Sequence, residues 1–322
     1  MKRILLIILA ACMVFSLSAC NERMTFPKDD LDAKWGDASA PTAAPTALPT
    51  ALPSDMPTDA PATPVPGVTP ESVTDLDISL TFDFGDYAGS YTGDIVNGLP
   101  NGYGTFISYD DSFGSWSYVG EWKDGHFNGD GVQSFEDGYE EGGYYVDDYL
   151  TGEGWESWYG ILQYQGGYQD SYYHGEGTLY NFHGEIVYSG AFNNGLLQET
   201  AEARASRVGA FKDISSPATA ADLYTSCENE TSLWAQVNGV IFDVYYFNRD
   251  DNPSYCEFLM YESGIEDETH IVNVFYTLSE GEALPTDGQS VTVWGSTEYL
   301  YTYNSSSDQE LTVPLLEAWS IE

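Results

Sequence analysis

The side chains that could carry chemistry are few and scattered. Four histidines, His126, His174, His183 and His270, are the only imidazoles in the 322 residues. No HExxH pair, GxSxG elbow or GxxxxGK[ST] phosphate loop is present. A GxGxxG match would carry little weight among 32 glycines. Asp110-Asp111, Asp147-Asp148 and Asp250-Asp251 place carboxylates side by side, as calcium would need. None has the spaced ligands of an EF-hand loop, and each reads first as a solvated turn. With 51 Asp and Glu residues, acid pairs of the kind that hydrolyse glycosides can be drawn in many ways, and nothing singles one out. His126 falls in an expected hairpin turn and His174 just before a return strand, where exposure is the ordinary explanation. The reading is therefore non-enzymatic, with no catalytic set, metal or cofactor. Cys227 and Cys256 could form a disulfide in an oxidising compartment, although two thiols alone do not specify one; a CxxC motif is absent.

A third chemically distinctive thiol is Cys20. Lys2 and Arg3 open the chain, Ile4 to Leu17 is almost unbroken apolar, and Leu17-Ser18-Ala19-Cys20 closes the run. A basic start, a short apolar core and small residues before a cut describe a secretory signal over residues 1–19. The run is too short for a comfortable span, which takes about 20 residues. The last four residues resemble a bacterial lipobox. That resemblance implies a diacylated Cys20 as the new N-terminus, anchored to the outer side of the bacterial membrane. Two acyl chains suffice, since each buried CH₂ contributes about 0.8 kcal/mol. Removing residues 1–19 takes two of the ten basic residues and no acid, leaving a formal charge of −43. Such a field repels phosphate polymers and anionic lipid heads, so nucleic acid is excluded as a partner. A cation, a basic protein or a neutral glycan is not.

Residues 20–80 read as a disordered tether rich in Pro, Thr and Ala. Pro41, Pro45, Pro49, Pro53, Pro57 and Pro61 recur every fourth residue. Proline favours extended polyproline II, so residues 41–70 could span roughly 90 Å at about 3.1 Å per residue.

Residues 81–200 are repetitive. Counting from Tyr118, Gly120, Trp122, Gly125, Gly129, Gly131 and Gly138 lie at offsets 2, 4, 7, 11, 13 and 20. Tyr164 begins the same series with Gly166, Tyr168, Ser171, Gly175, Gly177 and Gly184. Glu141 begins it with Gly143, Tyr145, Asp148, Gly152 and Gly154, and Tyr91 with Gly93, Ile95, Gly98, Gly102 and Gly104. A partial fifth copy runs Tyr188, Gly190, Phe192, Gly195. An insertion around residues 110–117 lengthens the first interval. Alternation in each copy predicts a strand, offset 7 a turn needing positive φ, and offsets 11 and 13 the opening of a return strand with room for a ring. One hairpin is marginal in water, so the copies must stack. Offsets 8 and 9 are often apolar: Leu99, Phe127, Tyr149, Leu150, Tyr172, Tyr173, Leu196 and Leu197. Stacking aligns them either as an exposed stripe for a partner or as packing against the repeat face or the following domain. Trp116, Trp155, Trp158 and Tyr159 stand under the same two readings, with sugar rings as a further class of ligand.

The spacing Tyr-x-Gly-x-aromatic-x-x-Gly-x-x-x-Gly-x-Gly resembles the MORN repeat. Choline-binding cell-wall repeats differ in their glycine spacing and in their Trp-Tyr-Tyr runs. The resemblance implies a scaffold or self-association module. Residues 87–200 carry one Lys, no Arg and 18 acids, which argues against anionic lipid as its ligand.

Residues 201–322 read as a helical lead-in and then strands. Glu202–Phe211 and Ala218–Tyr224 are the helical stretches; Leu233–Phe247 (interrupted at Gly239), Tyr255–Tyr261, His270–Leu278, Val291–Tyr303 and Leu311–Ile321 are the strands. Five strands in so short a stretch predict a small barrel. The arrangement is similar to OB-like domains of secreted bacterial lipoproteins, notably through Asp287-Gly288-Gln289-Ser290-Val291-Thr292-Val293-Trp294-Gly295. With 21 acids and four basic residues, it lacks the electrostatics of a nucleic-acid binder. The expected fold is thus mostly β: a MORN-type sheet of stacked hairpins, a short helical segment and a small five-stranded barrel. The expected function is binding or scaffolding of a protein partner or a second copy, with a cell-wall glycan as the alternative and a hydrolase as the weakest reading.

Overall fold

The structure, a computed structural model, describes residues 70–109, 115–249, 252–304 and 310–322. Cys20, the proline series, Asp110-Asp111 and Asp250-Asp251 lie outside these residues.

Eleven strands follow one another in a single antiparallel sheet whose spatial order is the chain order. They are β1 (Glu71–Phe82), β2 (Gly85–Val96), β3 (Leu99–Ser108), β4 (Trp116–Lys123), β5 (His126–Phe135), β6 (Tyr139–Val146), β7 (Tyr149–Trp158), β8 (Ile161–Gln169), β9 (Tyr172–Tyr180), β10 (Ile186–Asn193) and β11 (Leu196–Gln198). Strand β1 corrects the tether boundary, because residues 71–80 pair with β2. The signal was in plain sight: Leu76, Ile78, Leu80 and Phe82 alternate with polar residues at strand period.

Each repeat is a hairpin, and positive φ falls where its turn needs it. Offset 7 is left-handed at Gly98, Gly125, Asp148, Ser171 and Gly195 alike, with φ between 58° and 91°. Asp148 and Ser171 therefore accept the strain that glycine avoids.

After the sheet come α1 (Ala201–Ile214), β12 (Ser216–Pro217) and α2 (Ala220–Glu228). Thr200 caps α1, and Thr219 with Asp222 forms a capping box on α2. Then follow β13 (Trp234–Arg249), β14 (Asn252–Glu262), β15 (Ile271–Thr277), β16 (Ser290–Asn304) and β17 (Glu310–Ile321). Gly239 does not break β13: it lies against Met260 and the Tyr261 carbonyl, where a side chain would clash. The order β13-β14-β15-β17-β16 closes by pairing β13 with β16, and β15 runs parallel to β17. This is a closed five-stranded barrel, filled by residues such as Val237, Ile241, Phe258, Val274 and Leu316. Cys256 and Cys227 are both buried free thiols, so no bond links them.

The barrel grips the end of the sheet. Leu197 bridges to Ser279, and Glu199 accepts from both Arg207 and Ser279. Arg207 also donates to the Trp319 carbonyl at 3.2 Å. Asn181 in the β9–β10 turn reaches Ser296, and the His183 ring sits 2.8 Å from the Thr297 carbonyl.

Candidate binding surface of the repeat sheet

Cross-strand register turns the sequence spacing into straight lines. Gly93, Gly104, Gly120, Gly131, Gly143, Gly154, Gly166, Gly177 and Gly190 pair one to the next across nine strands. Immediately past this line the pairing shifts between offsets 2 and 4 in four successive repeats. A bulge at the same place in every repeat bends each hairpin, so the glycine line is a crease. At Gly131 the need for glycine is direct: a Cβ there would fall inside the Tyr118 ring.

The signature aromatics fill the fold of that crease. Tyr118 stacks on Phe127 at 3.8 Å, and Tyr164 on Tyr173 at 3.7 Å. Offset 4 meets them edge-on: Trp122 against Tyr118, Tyr168 against Tyr164, Phe192 against Tyr188. The next repeat adds another edge, as Tyr145 does to Tyr118 and Trp122 to Tyr91. Each offset-0 hydroxyl donates to the carbonyl three residues on: Tyr91 to Asp94, Tyr118 to Glu121, Tyr164 to Gly167 and Tyr188 to Ala191. The polar ends of these buried rings are therefore satisfied.

This packing decides the two readings of offsets 8 and 9. Phe127, Leu150, Leu196 and Leu197 are buried, and Tyr149, Tyr172 and Tyr173 are half-buried. Leu99 is the exposed member, at 41%. The eight residues do not form a continuous exposed stripe; offset 9 turns inward onto its own repeat. Trp116 and Trp155 are likewise buried and Trp158 half-buried, which leaves Tyr159 exposed. Most of these aromatics are thus committed to packing.

Turn residues tie adjacent hairpin tips. The offset-7 N–H donates to the offset-9 carbonyl of the preceding repeat: Gly125 to Pro100, Asp148 to Phe127, Ser171 to Leu150, Gly195 to Tyr173. Asp148 adds its carboxylate, which accepts from the Phe127 N–H at 2.8 Å and lies 2.7 Å from His126 Nδ1. Burial lowers the His126 pKa, but the bond and charge of Asp148 outweigh it and hold the imidazole above its ordinary value. The Asp147-Asp148 pair is thus occupied by protein partners, since Asp147 accepts from Asn128. Among the described residues no group of three His, Cys, Asp or Glu side chains could hold a metal.

Spacing alone missed a polar interruption of the inner face. One row of paired residues runs Tyr91, Phe106, Tyr118, Gln133, Glu141, Glu156, Tyr164, Leu179, Tyr188. Its three central members are buried and polar. Tyr139 Oη lies 3.1 Å from Glu141 and 3.0 Å from Glu156, Tyr145 donates to Glu141, and Tyr173 to Glu156. The one cue in the sequence was Glu141 standing where the other copies have tyrosine.

The outer face is different in kind. Thr92, Thr105, Val119, Val132, Gly142, Trp155, Gln165, Thr178 and Ser189 form its central row. Glu121, Asp130, Glu153 and Glu176 lie one step towards the tips, all exposed.

With this geometry in place, comparison with known families finds one match: a model of the MORN repeat covers residues 91–113 and 118–138. These are the first two copies, and the copies from Glu141 and Tyr164 repeat their crease and turn geometry. No curated protein matches the chain in sequence. MORN repeats are generally non-catalytic modules that bind proteins or membranes.

Proposed function

We propose that this chain is a non-enzymatic surface lipoprotein, held outside the bacterial membrane through Cys20, whose repeat sheet and barrel bind or scaffold a protein partner. The observation that carries the reading is the division of labour in the repeat. Its signature residues are spent on the crease and its aromatic filling, which yields a broad, preformed sheet with one face left to water. The acid pairs that the fold brings together, Glu141 with Glu156 and Glu298 with Glu317, are sealed in the interior. Between the two ligand classes of MORN repeats, 18 acids against one Lys over residues 87–200 favour protein over anionic lipid. The strand order of the barrel, with β15 parallel to β17, supports an OB-like reading of that domain.

Two measurements test this. Cys20→Ser should shift the chain from the membrane fraction to the soluble fraction and abolish incorporation of labelled palmitate; retention of both would remove the anchor. Surface extracts passed over the immobilised chain should yield a stoichiometric protein partner. Capture of purified cell wall instead would install the glycan reading.

A further inference from the structure

We propose that the outer face of β3–β9 docks a basic, extended polypeptide; this rests on the binding role above and names the chemistry of the partner. Two adjacent strands, β3 and β4, contribute an exposed apolar patch: Tyr103 is 66% exposed, Ile107 49% and Val119 38%. Val119 pairs with both Thr105 and Val132, so the patch is continuous across neighbouring strands. The helices make their main contacts with barrel strands, and α1 adds Phe211 to the inner-face cluster at the β10 end of the sheet.

A line of acids borders the patch. Asp130, Glu153 and Glu176 occupy the middle of Gly-x-Gly in three successive repeats, on β5, β7 and β9, and Glu121 sits beside Asp130. Folding does not ask for acid there: the side chains face water, and Tyr103 fills the same position in the first copy. None of the four acids has an ion-pair partner among the described residues. The arrangement also costs energy. Burial and the nearby Asp130 raise the Glu121 pKa, and burial raises that of Asp130.

Charge and spacing choose the occupant. Strands lie about 4.8 Å apart, so acids on every second strand recur at about 10 Å. A polyproline II segment rises about 3.1 Å per residue, so basic residues three apart recur at about 9.3 Å. Such a segment crossing the strands would set each Lys or Arg against one acid, with its apolar residues on Ile107 and Val119 and a cation beside the Tyr103 ring. A second copy of this chain fits badly, because its net charge of −41 opposes the same row.

The probe is a fluorescent peptide of five Lys-Pro-Thr units, its binding to the full chain followed by anisotropy at low salt. D130N/E153Q/E176Q should weaken binding at least tenfold with a thermal melt no lower than that of the native chain. D213N/E228Q/E266Q removes equal charge at exposed positions off the sheet and should change binding less than twofold. Tyr103→Ser should cost about threefold. Equal losses in both triple variants would assign binding to the overall field and overturn the proposal, as would no binding by the native chain. The binding role is judged separately. If the row variant captures the same surface partner as the native chain, this docking face is wrong and the role stands; if neither captures a partner, the role itself falls.

Discussion

The repeat sheet and the barrel both bury carboxyl groups, and they accommodate them in different ways. In the sheet, Glu141 and Glu156 sit among tyrosines already present for packing, and Tyr139, Tyr145 and Tyr173 bring hydroxyls to them. In the barrel, Glu298 and Glu317 lie together on β16 and β17 under the β9–β10 turn, with Ser296 donating to Glu298 at 2.6 Å. Burial there raises the pKa of Glu298 to about 8 and that of Glu317 well above its usual range, with the neighbouring Glu298 adding to the rise. The architectures differ in the same sense. Every pairing in the sheet joins strands adjacent in sequence, whereas the barrel depends on the distant β13–β16 and β15–β17 pairings. Cohesion is therefore local in one region and global in the other.

The largest effects should come from core truncations that expose this contrast. Phe127→Ala removes a ring stacked on Tyr118 and in edge contact with Trp122, at a cost of about 3–5 kcal/mol. Hydrogen exchange should rise in β4–β6 and stay unchanged in the barrel. Phe258→Ala, in the barrel core, should raise exchange in all five barrel strands together. Uniform loss across the chain from Phe127→Ala would show that the sheet is no more local than the barrel.

Substitutions in the crease come next. Gly131→Ala drives a methyl into the Tyr118 ring and should cost about 1–3 kcal/mol in denaturant unfolding. Gly98→Ala meets no neighbour but must hold φ near 82°, so only the backbone term of about 1 kcal/mol applies. Equal costs would mean that the crease is set by backbone strain rather than by ring packing.

Raising the pH should separate the regions by charge. In the unfolded chain a glutamate ionises around 4.5, whereas Glu298 in the fold keeps its proton to about 8. The folded state holds more protons between these values, so stability falls as pH rises through that window and levels off above it. His183 and Glu185 from the β9–β10 turn, Cys227 from α2 and Glu317 from β17 face the same group. Glu298→Gln should flatten much of the fall in Tm between pH 5.5 and 8.5. Glu317, raised by burial, and Glu257, raised to about 7 by burial in spite of the hydrogen bond from the Asn273 amide, leave a residual slope of the same sign. An unchanged slope in Glu298→Gln would place the linkage elsewhere.

What could be read in advance follows from these physical differences. Hairpin count, turn positions and the glycines of the crease were legible, because left-handed backbone and ring clearance restrict residue type strongly. The five barrel runs were legible from β-branched and aromatic density. The direction in which offset 9 faces was not, since the bulge after offset 2 breaks the period-two rule by which a strand assigns its faces. Phe127 and Leu150 thus turned inward where simple alternation left both faces open. The burial of Glu141 and Glu298 was hidden for another reason: in a chain with 51 acids, an acid that must be buried looks like all the others.

The smallest effect tests the joint between repeats. Ser171 holds two bonds to the preceding tip: its N–H donates to the Leu150 carbonyl, and its Oγ accepts from the Leu150 N–H at 2.9 Å. Asp148 makes the corresponding pair with Phe127 one repeat earlier. Where offset 7 is glycine the tip has the backbone bond alone, so the two non-glycine copies exchange conformational ease for a side-chain cap. Ser171→Gly would relieve the positive φ while losing the cap, and the two should largely cancel. Ser171→Ala loses the cap and keeps the strain, and should cost about 1 kcal/mol in denaturant unfolding. If Ser171→Gly instead destabilises as much as Ser171→Ala, the cap outweighs the backbone term. The tips would then be held together by side chains, and the locality of the sheet would rest on fewer residues than its register suggests.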